Sequence, residues 1–589
     1  MGKRLFLALT VLFAGMLLLN AVPARPGKMV YVQPDGSKIV IERHGDEFGH
    51  WTTDAAGRVV KKDRDGFFRP VSDDASVSAV RLNAAARRRA ARNARAASAA
   101  ATGSHVAIGK KHFLVILVEF KDLTFSTSED PKAAFTALLN EQGYSVNGGT
   151  GSARDFYYDN SHGLFEPVFD VYGPVQMDTT KAYYGANNRW GDDLRAEQAV
   201  ISGCEKLDDE IDFTRYDNDG DGQVDLVFMY YAGYGEADSS DDDAIWPHQW
   251  ELSNAGYSLS LDGKVIDHYA CSNEVVGYGP LRGKMCGIGT ACHEFGHAMG
   301  LPDMYDTDYE DNGEAGGLYS YSTMCGGSYN NEGRTPPYFN FEERIYLGWL
   351  EEKDYLEFGK TGAYEIPSID GNVAYRTFTD MDGEYFIYEN RTKTGWDRYL
   401  PGEGLVVYHA DKSSRQVSTN YGSSTAHDLW YHWEDLNSIN ENGSHPCFYI
   451  IPAASQGSLN YSWEDRIPFP YQNVNTYTPK SWNKVAGGIT FSEIAFSGGR
   501  LTLKATVPSD DLDYVTIASA GSYRAGDRFP FALRTSDNAT DPESVVWYFD
   551  DEPVQADSVT LTAGMHVVDA HLTLADGSRQ VLTLEIEVL

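Results

Sequence analysis

The stretch from Cys292 to Asp303, with the sequence CHEFGHAMGLPD, constrains this chain of 589 residues more than any other feature. His293 and His297 are four positions apart, so on a helix their side chains project from one face, one turn above the other. Gly300 lets the backbone leave the helix sharply, which would bring the carboxylate of Asp303 round to the same face. Two histidines and a carboxylate with an open fourth position are the ligand set of a catalytic zinc ion. The stretch therefore predicts a zinc site at the end of a helix.

Glu294 directly follows the first histidine of this motif. There its carboxylate can reach a zinc-activated water without binding the metal, which is the position that a general base requires. We expect Glu294 to take a proton from this water as it attacks a peptide carbonyl, and later to give one to the leaving amine. A bare HExxH pattern also arises by chance on a polar helix face, but its continuation through Gly300 and Asp303 favours the catalytic interpretation.

The blocks around this motif resemble the immune-inhibitor-A-like family of secreted bacterial metallopeptidases, whose motif is HExxHxxGxxD. The blocks that carry the resemblance are HEFGHAMGLPDMYD, STMCGGS, Arg334-Thr335-Pro336-Pro337, Leu347-Gly348-Trp349 and Ile245-Trp246-Pro247-His248. The resemblance extends over roughly Lys28 to Val507. It implies zinc ligation by His293, His297 and Asp303, with Glu294 as the base. It also implies a metzincin-like catalytic domain in which Met324 lies in a turn under the metal.

The predicted fold class is multidomain α+β, because the chain is longer than one hydrophobic core usually supports. A metzincin-like catalytic domain with a central sheet and a zinc-binding helix precedes a β-sandwich and a C-terminal immunoglobulin-like β-sandwich. The predicted segments are a signal peptide at 1–24, a β-rich prosegment with an Ala/Arg-rich hinge at 25–103, a zinc metallopeptidase domain at 104–352, a β-sandwich domain at 353–508 and an immunoglobulin-like domain at 509–589.

The amino terminus has the pattern of a cleaved secretory signal. Lys3-Arg4 precedes an apolar run from Leu5 to Leu19, which small residues follow in Ala21-Val22-Pro23-Ala24. The run is short for a membrane-spanning helix, and no other stretch is long and apolar enough, so no transmembrane anchor is expected. The sequence therefore predicts an extracellular or cell-surface protein.

The charge and the cysteines are consistent with this location. A formal net charge of -36 argues against nucleic acid as a partner, and the expected partners are protein or peptide substrates. Six cysteines in an exported chain permit up to three disulfides. For Cys292 and Cys325, which flank the zinc motif and the methionine turn, a buried thiol or a disulfide is favoured over a functional thiolate.

The segment from Ala84 to Ala101 consists almost wholly of alanine and arginine and is interpreted as an exposed hinge that a protease cleaves. A basic helix lying on a surface is the alternative. Cleavage there would convert a latent precursor into an active enzyme. The prosegment has no cysteine, so a carboxylate such as that of Asp46 or Glu47 is the candidate group for blocking the metal.

A second group of carboxylates predicts structural calcium. Asp217, Asp219 and Asp221 alternate as in the first half of a calcium loop, and Asp225 could complete the cage. Phe228 replaces the glutamate of an EF-hand, so the loop belongs to a different class, and a solvated acidic turn is the alternative. The glycine-rich Asp306 to Gly317 is a further candidate for calcium.

Two other functions stay open at this point. The chain could be a secreted surface adhesin with a degenerate peptidase domain, whose C-terminal β-domains bind a host or surface ligand. A zinc enzyme that cleaves cell-wall amides is the third alternative. The complete set of His293, Glu294, His297 and Asp303 favours the peptidase. Tyr329, shortly after Met324, is a candidate for an assisting tyrosine, whereas His248, a lone histidine between tryptophans, is interpreted as a packed rather than a catalytic residue.

Overall fold

The structure is a computed structural model that describes residues 19–46, 49–63, 65–71, 107–188, 193–239, 241–307, 315–418, 426–434, 439–456, 459, 466–507, 515–517, 523–535, 542–550, 552–573 and 579–588. The chain divides into two compact units. The first comprises Met1–Glu357, Tyr364–Gly487 and Ser492–Leu503, and the second comprises Phe358–Ala363, Gly488–Phe491 and Lys504–Leu589.

Several sequence predictions fall outside the described residues. These are most of the signal segment, the Ala/Arg-rich hinge from Ala84 to Ala101, Glu47, and the middle of the acidic loop between Asp306 and Gly317. Among the residues that are described, no helix is long and apolar enough to span a membrane.

The first strand of the chain, β1 (Leu19–Ala21), is followed by a five-stranded antiparallel sheet whose strands pair in chain order. Ile41, Val60 and Phe68 are buried on one side of this sheet, and their alternation with exposed residues explains why the segment forms strands. The strands are β2 (Met29–Val32), β3 (Lys38–Asp46), β4 (Gly49–Asp54), β5 (Val59–Lys62) and β6 (Phe68–Pro70).

A six-stranded mixed sheet forms the framework of the region that contains the HExxH motif, in the order β1-β11-β14-β10-β7-β8. The strands β7, β8, β10 and β14 are parallel, whereas β11 is antiparallel to β14, and β1 is antiparallel to β11 at the edge. Their bounds are β7 (Gly109–Glu119), β8 (Phe165–Gln176), β10 (Val227–Tyr234), β11 (His248–Glu251) and β14 (His268–Val275); the short strands β9 (Gln223–Val224), β12 (Leu259–Leu261) and β13 (Lys264–Ile266) form a separate sheet.

The interior strand β7, which pairs with β10 and β8, explains why this sheet has helices on both faces. Its residues from Phe113 to Val118 are all buried, as the continuous apolar run predicts. Alternate side chains enter two different cores. One core contains α1 (Pro131–Asn140), α2 (Ala153–Asn160) and α5 (Gly289–Ala298), and the other contains α4 (Ala196–Leu207); α3 (Lys181–Gly185) and α6 (Phe341–Tyr346) complete the helices of this region.

A second five-stranded sheet follows this region in the chain, in the order β15-β17-β18-β19-β22. Every residue of β18 and β19 is buried. The bounds in this part are β15 (Leu356–Glu357), β16 (Gly362–Ile366), β17 (Tyr375–Phe378), β18 (Glu384–Arg391), β19 (Gly404–Asp411), β20 (Gln416–Ser418), β21 (Ala426–Asp428), α7 (Leu429–Glu434), β22 (Phe448–Ile451), β23 (Thr490–Ser497) and β24 (Arg500–Thr506).

The charged residues of this sheet have structural roles. Arg391 Nε and Nη2 lie 2.6 and 2.7 Å from the two carboxylate oxygens of Asp397, and Arg391 Nη1 lies 3.3 Å from Glu389 Oε2. His409 Nε2 lies 2.9 Å from Glu384 Oε1. All of these side chains are buried, so they satisfy one another within the core.

The described part of the second unit consists of antiparallel strands around a core that includes Phe529, Leu561, Val568 and Ile586. Four strands form one sheet, β29-β28-β31-β32, and the others pair two by two. Their bounds are β25 (Val515–Ile517), β26 (Arg528–Pro530), β27 (Leu533–Thr535), β28 (Ser544–Phe549), β29 (Glu552–Val554), β30 (Ser558–Thr560), β31 (Gly564–Thr573) and β32 (Arg579–Val588). The part of the chain that the structure describes is thus α+β, with mostly strands and few helices.

Candidate metal centre

The helix α5 carries the metal motif and is held from several sides. Tyr157 Oη donates a hydrogen bond of 2.6 Å to the carbonyl of Cys292. Phe295 packs into an aromatic cluster, with its ring centre 4.7 Å from that of Phe113. At the start of the helix the N–H of Gly289 donates to the carbonyl of Gly333 over 2.7 Å. These contacts fix the height and the rotation of the helix relative to the central sheet.

His293 and His297 point their Nε2 atoms at one another. The Nδ1 of His293 donates to the carbonyl of Thr323 at 2.9 Å, and the Nδ1 of His297 donates to the carbonyl of Leu301 at 2.8 Å. Because each Nδ1 carries the proton of its ring, each Nε2 has a lone pair available for a metal. The two Nε2 atoms lie 3.0 Å apart.

Asp303 completes the group, because the chain turns back after the helix. Gly300 has a φ of +99°, a left-handed conformation that favours glycine. The Oδ1 atom of Asp303 lies 3.4 Å from His293 Nε2 and 3.2 Å from His297 Nε2. Tetrahedral zinc binds nitrogen and oxygen at about 2.0–2.2 Å, which places its ligand atoms about 3.3 Å apart. The three donors therefore fit a zinc ion.

The electrostatics of the three ligands agree with this fit. All three side chains are buried. Burial lowers the pKa of His297, which keeps its ring neutral. Burial acts to raise the pKa of Asp303, but the two imidazoles outweigh it and hold this pKa well below its usual range. Two neutral imidazoles and a carboxylate are the protonation states in which these residues bind a metal.

Glu294 is fully buried next to the ligands. Its Oε1 atom accepts the backbone N–H of Val22 at 2.9 Å, whereas its Oε2 atom has no hydrogen-bond partner among the described residues. Burial raises the pKa of Glu294 well above its usual value, and the charge of Asp303 acts in the same direction. A buried carboxylate oxygen with no protein partner is positioned to accept a proton from a small molecule such as water.

Met324 lies under the helix, as the family resemblance implies. It is completely buried, and its carbonyl accepts the N–H of Met304 at 2.8 Å. A Cβ atom added to Gly296 would lie 2.6 Å from its sulfur, so only glycine allows the helix to pack this close to Met324.

His248 and Tyr329 lie near the metal group without belonging to it. His248 is buried, its Nδ1 donates to the carbonyl of Trp246 at 2.6 Å, and its Nε2 is 2.8 Å from Tyr269 Oη. Burial lowers the pKa of His248 to about 4. The Oη of Tyr329 donates to the carbonyl of Pro23 at 2.8 Å. Sequence reasoning did not single out Trp246, although it lies in a block that carries the resemblance.

The acidic loop brings together three of its four predicted ligands. Asp217, Asp219 and Asp225 each offer an oxygen within 4.8 Å of the others, whereas Asp221 is outside this group. Lys264 Nζ lies 2.5 Å from Asp217 Oδ2 and neutralises part of the charge. Burial, with the charges of Asp219 and Asp217, raises the pKa of Asp225 to about 6.

All six cysteines are free thiols, although their number permits three disulfides. Cys286 is partly exposed and the others are buried. Burial raises the pKa of Cys325 to about 12, and that of Cys292 well above its usual value. Neither cysteine is therefore a thiolate at neutral pH, which agrees with the preference for a buried thiol.

Comparison with known proteins identifies the region that contains this site. Residues 100–347 match the model of the Immune inhibitor A peptidase M6, catalytic domain. Immune inhibitor A of Bacillus thuringiensis subsp. alesti is 25% identical over 298 residues, which are 43% of this chain and 43% of that protein. The Pre-pro-metalloprotease PrtV of Vibrio cholerae serotype O1 (strain M66-2) is 26% identical over 263 residues, which are 38% of this chain and 28% of that protein. The match thus spans less than half the length of either relative.

Among solved structures, wild-type OgpA from Akkermansia muciniphila aligns with 82% of this chain and 93% of its own, at 9% sequence identity and a TM-score of 0.21. The comparison with known families therefore rests on the sequence matches to the peptidase M6 catalytic domain and to Immune inhibitor A. The resemblance inferred from the zinc motif and its flanking blocks is confirmed, because residues 100–347 of this chain match the catalytic domain of the immune inhibitor A peptidases M6.

Proposed function

We propose that this protein is a secreted zinc endopeptidase that is made as a latent precursor and hydrolyses peptide bonds in proteins. One observation carries the proposal: the three metal donors lie 3.0 to 3.4 Å from one another, with the buried carboxylate of Glu294 on the same helix. A degenerate peptidase domain would typically have lost a ligand or the base. The complete set supports an enzyme over a surface adhesin.

In this mechanism, His293, His297 and Asp303 would hold a zinc ion, which would supply a Lewis acid for the carbonyl of the scissile bond. Glu294 accepts a proton from the attacking water and later delivers one to the nitrogen of the leaving amine. The burial of Glu294 excludes bulk solvent and raises the pKa of its carboxyl group, which makes the carboxylate a stronger base. The carbonyls of Thr323 and Leu301 hold the two imidazoles in the required tautomer.

The test is hydrolysis of casein by the purified full-length protein, before and after limited cleavage in the Ala84 to Ala101 hinge. Zinc content is determined on each sample, and Glu294→Ala and Glu294→Gln are measured in parallel. We expect activity to appear on cleavage, to follow about one zinc per chain, and to fall by several orders of magnitude in both variants without loss of zinc. Zinc-free protein that is inactive in every condition would contradict the proposal and favour the adhesin.

Cell-wall fragments are tested beside casein as a second class of substrate, and their preferential cleavage would favour an amidase.

We also propose that Asp217, Asp219 and Asp225 bind a structural calcium ion, for which their converging oxygens are suitable ligands. Calcium should then raise the melting temperature of the protein, but not that of the Asp219→Asn variant.

The predicted export signal and the C-terminal immunoglobulin-like domain complete the proposed architecture. Amino-terminal sequencing of the exported protein tests the first. The second is supported by the antiparallel strands around Phe529 and Val568. Such modules commonly act as spacers or as binding domains for surface ligands.

A further inference from the structure

The residues just before the prosegment sheet lie in the catalytic cleft. The strand β1 pairs antiparallel with β11, the outer antiparallel strand of the catalytic sheet, with Ala21 opposite His248 and Leu19 opposite Trp250. This short peptide therefore extends the catalytic sheet by one strand. Added strands of this kind are one of the common ways in which proteins bind extended peptides.

After this strand, the backbone of the same peptide is bound group by group. The N–H of Val22 donates to Glu294 Oε1 at 2.9 Å. Trp246 Nε1 donates to the carbonyl of Val22 at 3.1 Å, and Tyr329 Oη donates to the carbonyl of Pro23 at 2.8 Å. Val22 is completely buried and packs with Ala24 and Trp246. Each contact uses a main-chain group that every peptide offers.

The segment is held in place from its far end. The N–H of Ala24 donates to the carbonyl of Gly45 at 2.8 Å, which links the peptide to the prosegment sheet. The buried Arg43 of that sheet binds the carbonyl of Glu236 and the carboxylate of Asp242. His50 Nε2 lies 2.8 Å from Glu236 Oε1. The sheet at 29–70 is therefore anchored beside the cleft.

The contact with Glu294 sets the register of the bound peptide. In the proposed mechanism Glu294 delivers a proton to the nitrogen of the leaving amine, so the nitrogen that contacts Glu294 belongs to the scissile bond. In this structure that nitrogen is the amide of Val22. The bond between Ala21 and Val22 thus lies where a substrate bond would lie.

We propose that residues 19–25 occupy the cleft in the register of a substrate, and that Trp246 and Tyr329 are the positioning residues that bind the carbonyls of the first and second substrate residues after the scissile bond. The substrate class is an extended peptide, whose residues before the scissile bond pair with β11. The inference rests on the proposed function, because the register is defined by the role of Glu294. The protein blocks its own cleft as long as this segment stays in place.

The proposal requires that the exported chain retains residues 19–25. Processing after Ala21 removes the strand that pairs with β11 and turns the amide of Val22 into a free amino terminus, and processing after Ala24, the boundary predicted from the sequence, also removes Val22. Amino-terminal sequencing of the purified protein therefore comes first. A chain that begins at Val22 or at Arg25 would overturn the proposal.

The cleft is then probed with a fluorescein-labelled peptide of sequence LNAVPARPGK, whose binding to the full-length protein is followed by fluorescence anisotropy. Val22→Pro removes the N–H that Glu294 accepts, because proline has none, whereas Val22→Ala keeps it. We expect the Val22→Pro protein to bind the peptide about tenfold more tightly than wild type or Val22→Ala, since its own segment no longer competes as well. Equal binding by the Val22→Pro and Val22→Ala proteins would contradict the proposal.

The positioning residues are tested in the Val22→Pro background with matched controls. Trp246→Phe and Tyr329→Phe each remove one donor and should weaken peptide binding about tenfold. Trp250→Phe and Tyr278→Phe remove an N–H and a hydroxyl that have no partner among the described residues, and should change binding little. Equal losses in all four variants would show a general packing effect and exclude the proposed roles.

Peptide binding separates this inference from the proposed function, because binding needs no turnover. The expected peptide affinities without any casein hydrolysis would refute the peptidase and leave only the peptide contacts of Trp246 and Tyr329 standing. Casein hydrolysis together with equal peptide affinity in all proteins would support the peptidase and refute the proposed register. If both hold, mass spectrometry of the digested peptide should show a cut between its alanine and valine.

Discussion

Gly296 and Met324 approach so closely that a Cβ atom on the glycine would lie 2.6 Å from the methionine sulfur. Gly296 lies on α5 between Glu294 and His297, and Met324 lies in the turn beneath the helix. The helix that carries the metal ligands and the turn below it therefore behave as one packed layer. Any side chain added between them must displace either the buried side chain of Met324 or the helix.

Gly296→Ala should weaken zinc binding, because real Cβ atoms do not approach a sulfur this closely, and repacking of the buried Met324 side chain would disturb the helix that carries the metal donors. We expect a cost of about 1–3 kcal/mol in stability and a measurable loss of zinc affinity in competition with a chelating dye. Gly359→Ala is the control, since its added Cβ would meet no atom within 4 Å. Unchanged zinc affinity in Gly296→Ala would argue against the shared layer.

Removal of zinc with a chelator should lower the melting temperature by several degrees. The metal binds the folded chain, and at about a hundred times its Kd such a ligand stabilises by about 2.7 kcal/mol. Differential scanning calorimetry with and without 1,10-phenanthroline measures the effect. The His293→Ala protein should melt at the same temperature in both conditions, because it lacks a ligand.

Arg391→Met should destabilise the protein by about 3–5 kcal/mol, because it leaves Asp397 and Glu389 as buried carboxylates that have lost their cation. Denaturant unfolding monitored by fluorescence gives the value. The exposed pair of Arg500 and Glu365, with 65% and 55% of the side chains accessible, is the control. Arg500→Met should cost no more than about 1 kcal/mol.

Asp238 should make the stability depend on pH near neutrality. Burial raises its pKa to about 7, although the N–H of Gly277 and the charges of Arg25, Arg43 and Arg282 oppose this. A carboxyl whose pKa is raised in the folded state contributes stability below its unfolded pKa and loses it as the pH rises through about 7.

The wild-type protein should therefore lose stability relative to Asp238→Asn between pH 5 and pH 8. Melting temperatures of the two proteins at half-unit intervals test this. A difference that stays constant across the range would show that Asp238 titrates outside this window.

Much of the catalytic region follows from local sequence. The spacing of His293 and His297, the glycine at position 300 and the carboxylate at 303 act within a dozen residues, so a single helix end and its turn bring the donors together. The burial of the apolar run in β7 also follows from local sequence, because six successive apolar residues fit only inside a sheet that is covered on both faces. These features need no information from distant parts of the chain.

Other features of the site depend on contacts between residues that are far apart in the sequence. The contact between Val22 and Glu294 joins residues 272 positions apart, and Trp246 reaches the same peptide from another loop. The pairing of Lys264 with Asp217 and the exclusion of Asp221 from the acidic group also depend on which loops meet. No periodicity or spacing encodes such contacts, because they arise when separate elements pack on a common sheet. The sequence by itself thus determined the chemistry of the metal site, whereas only the tertiary structure decided which peptide lies in its cleft.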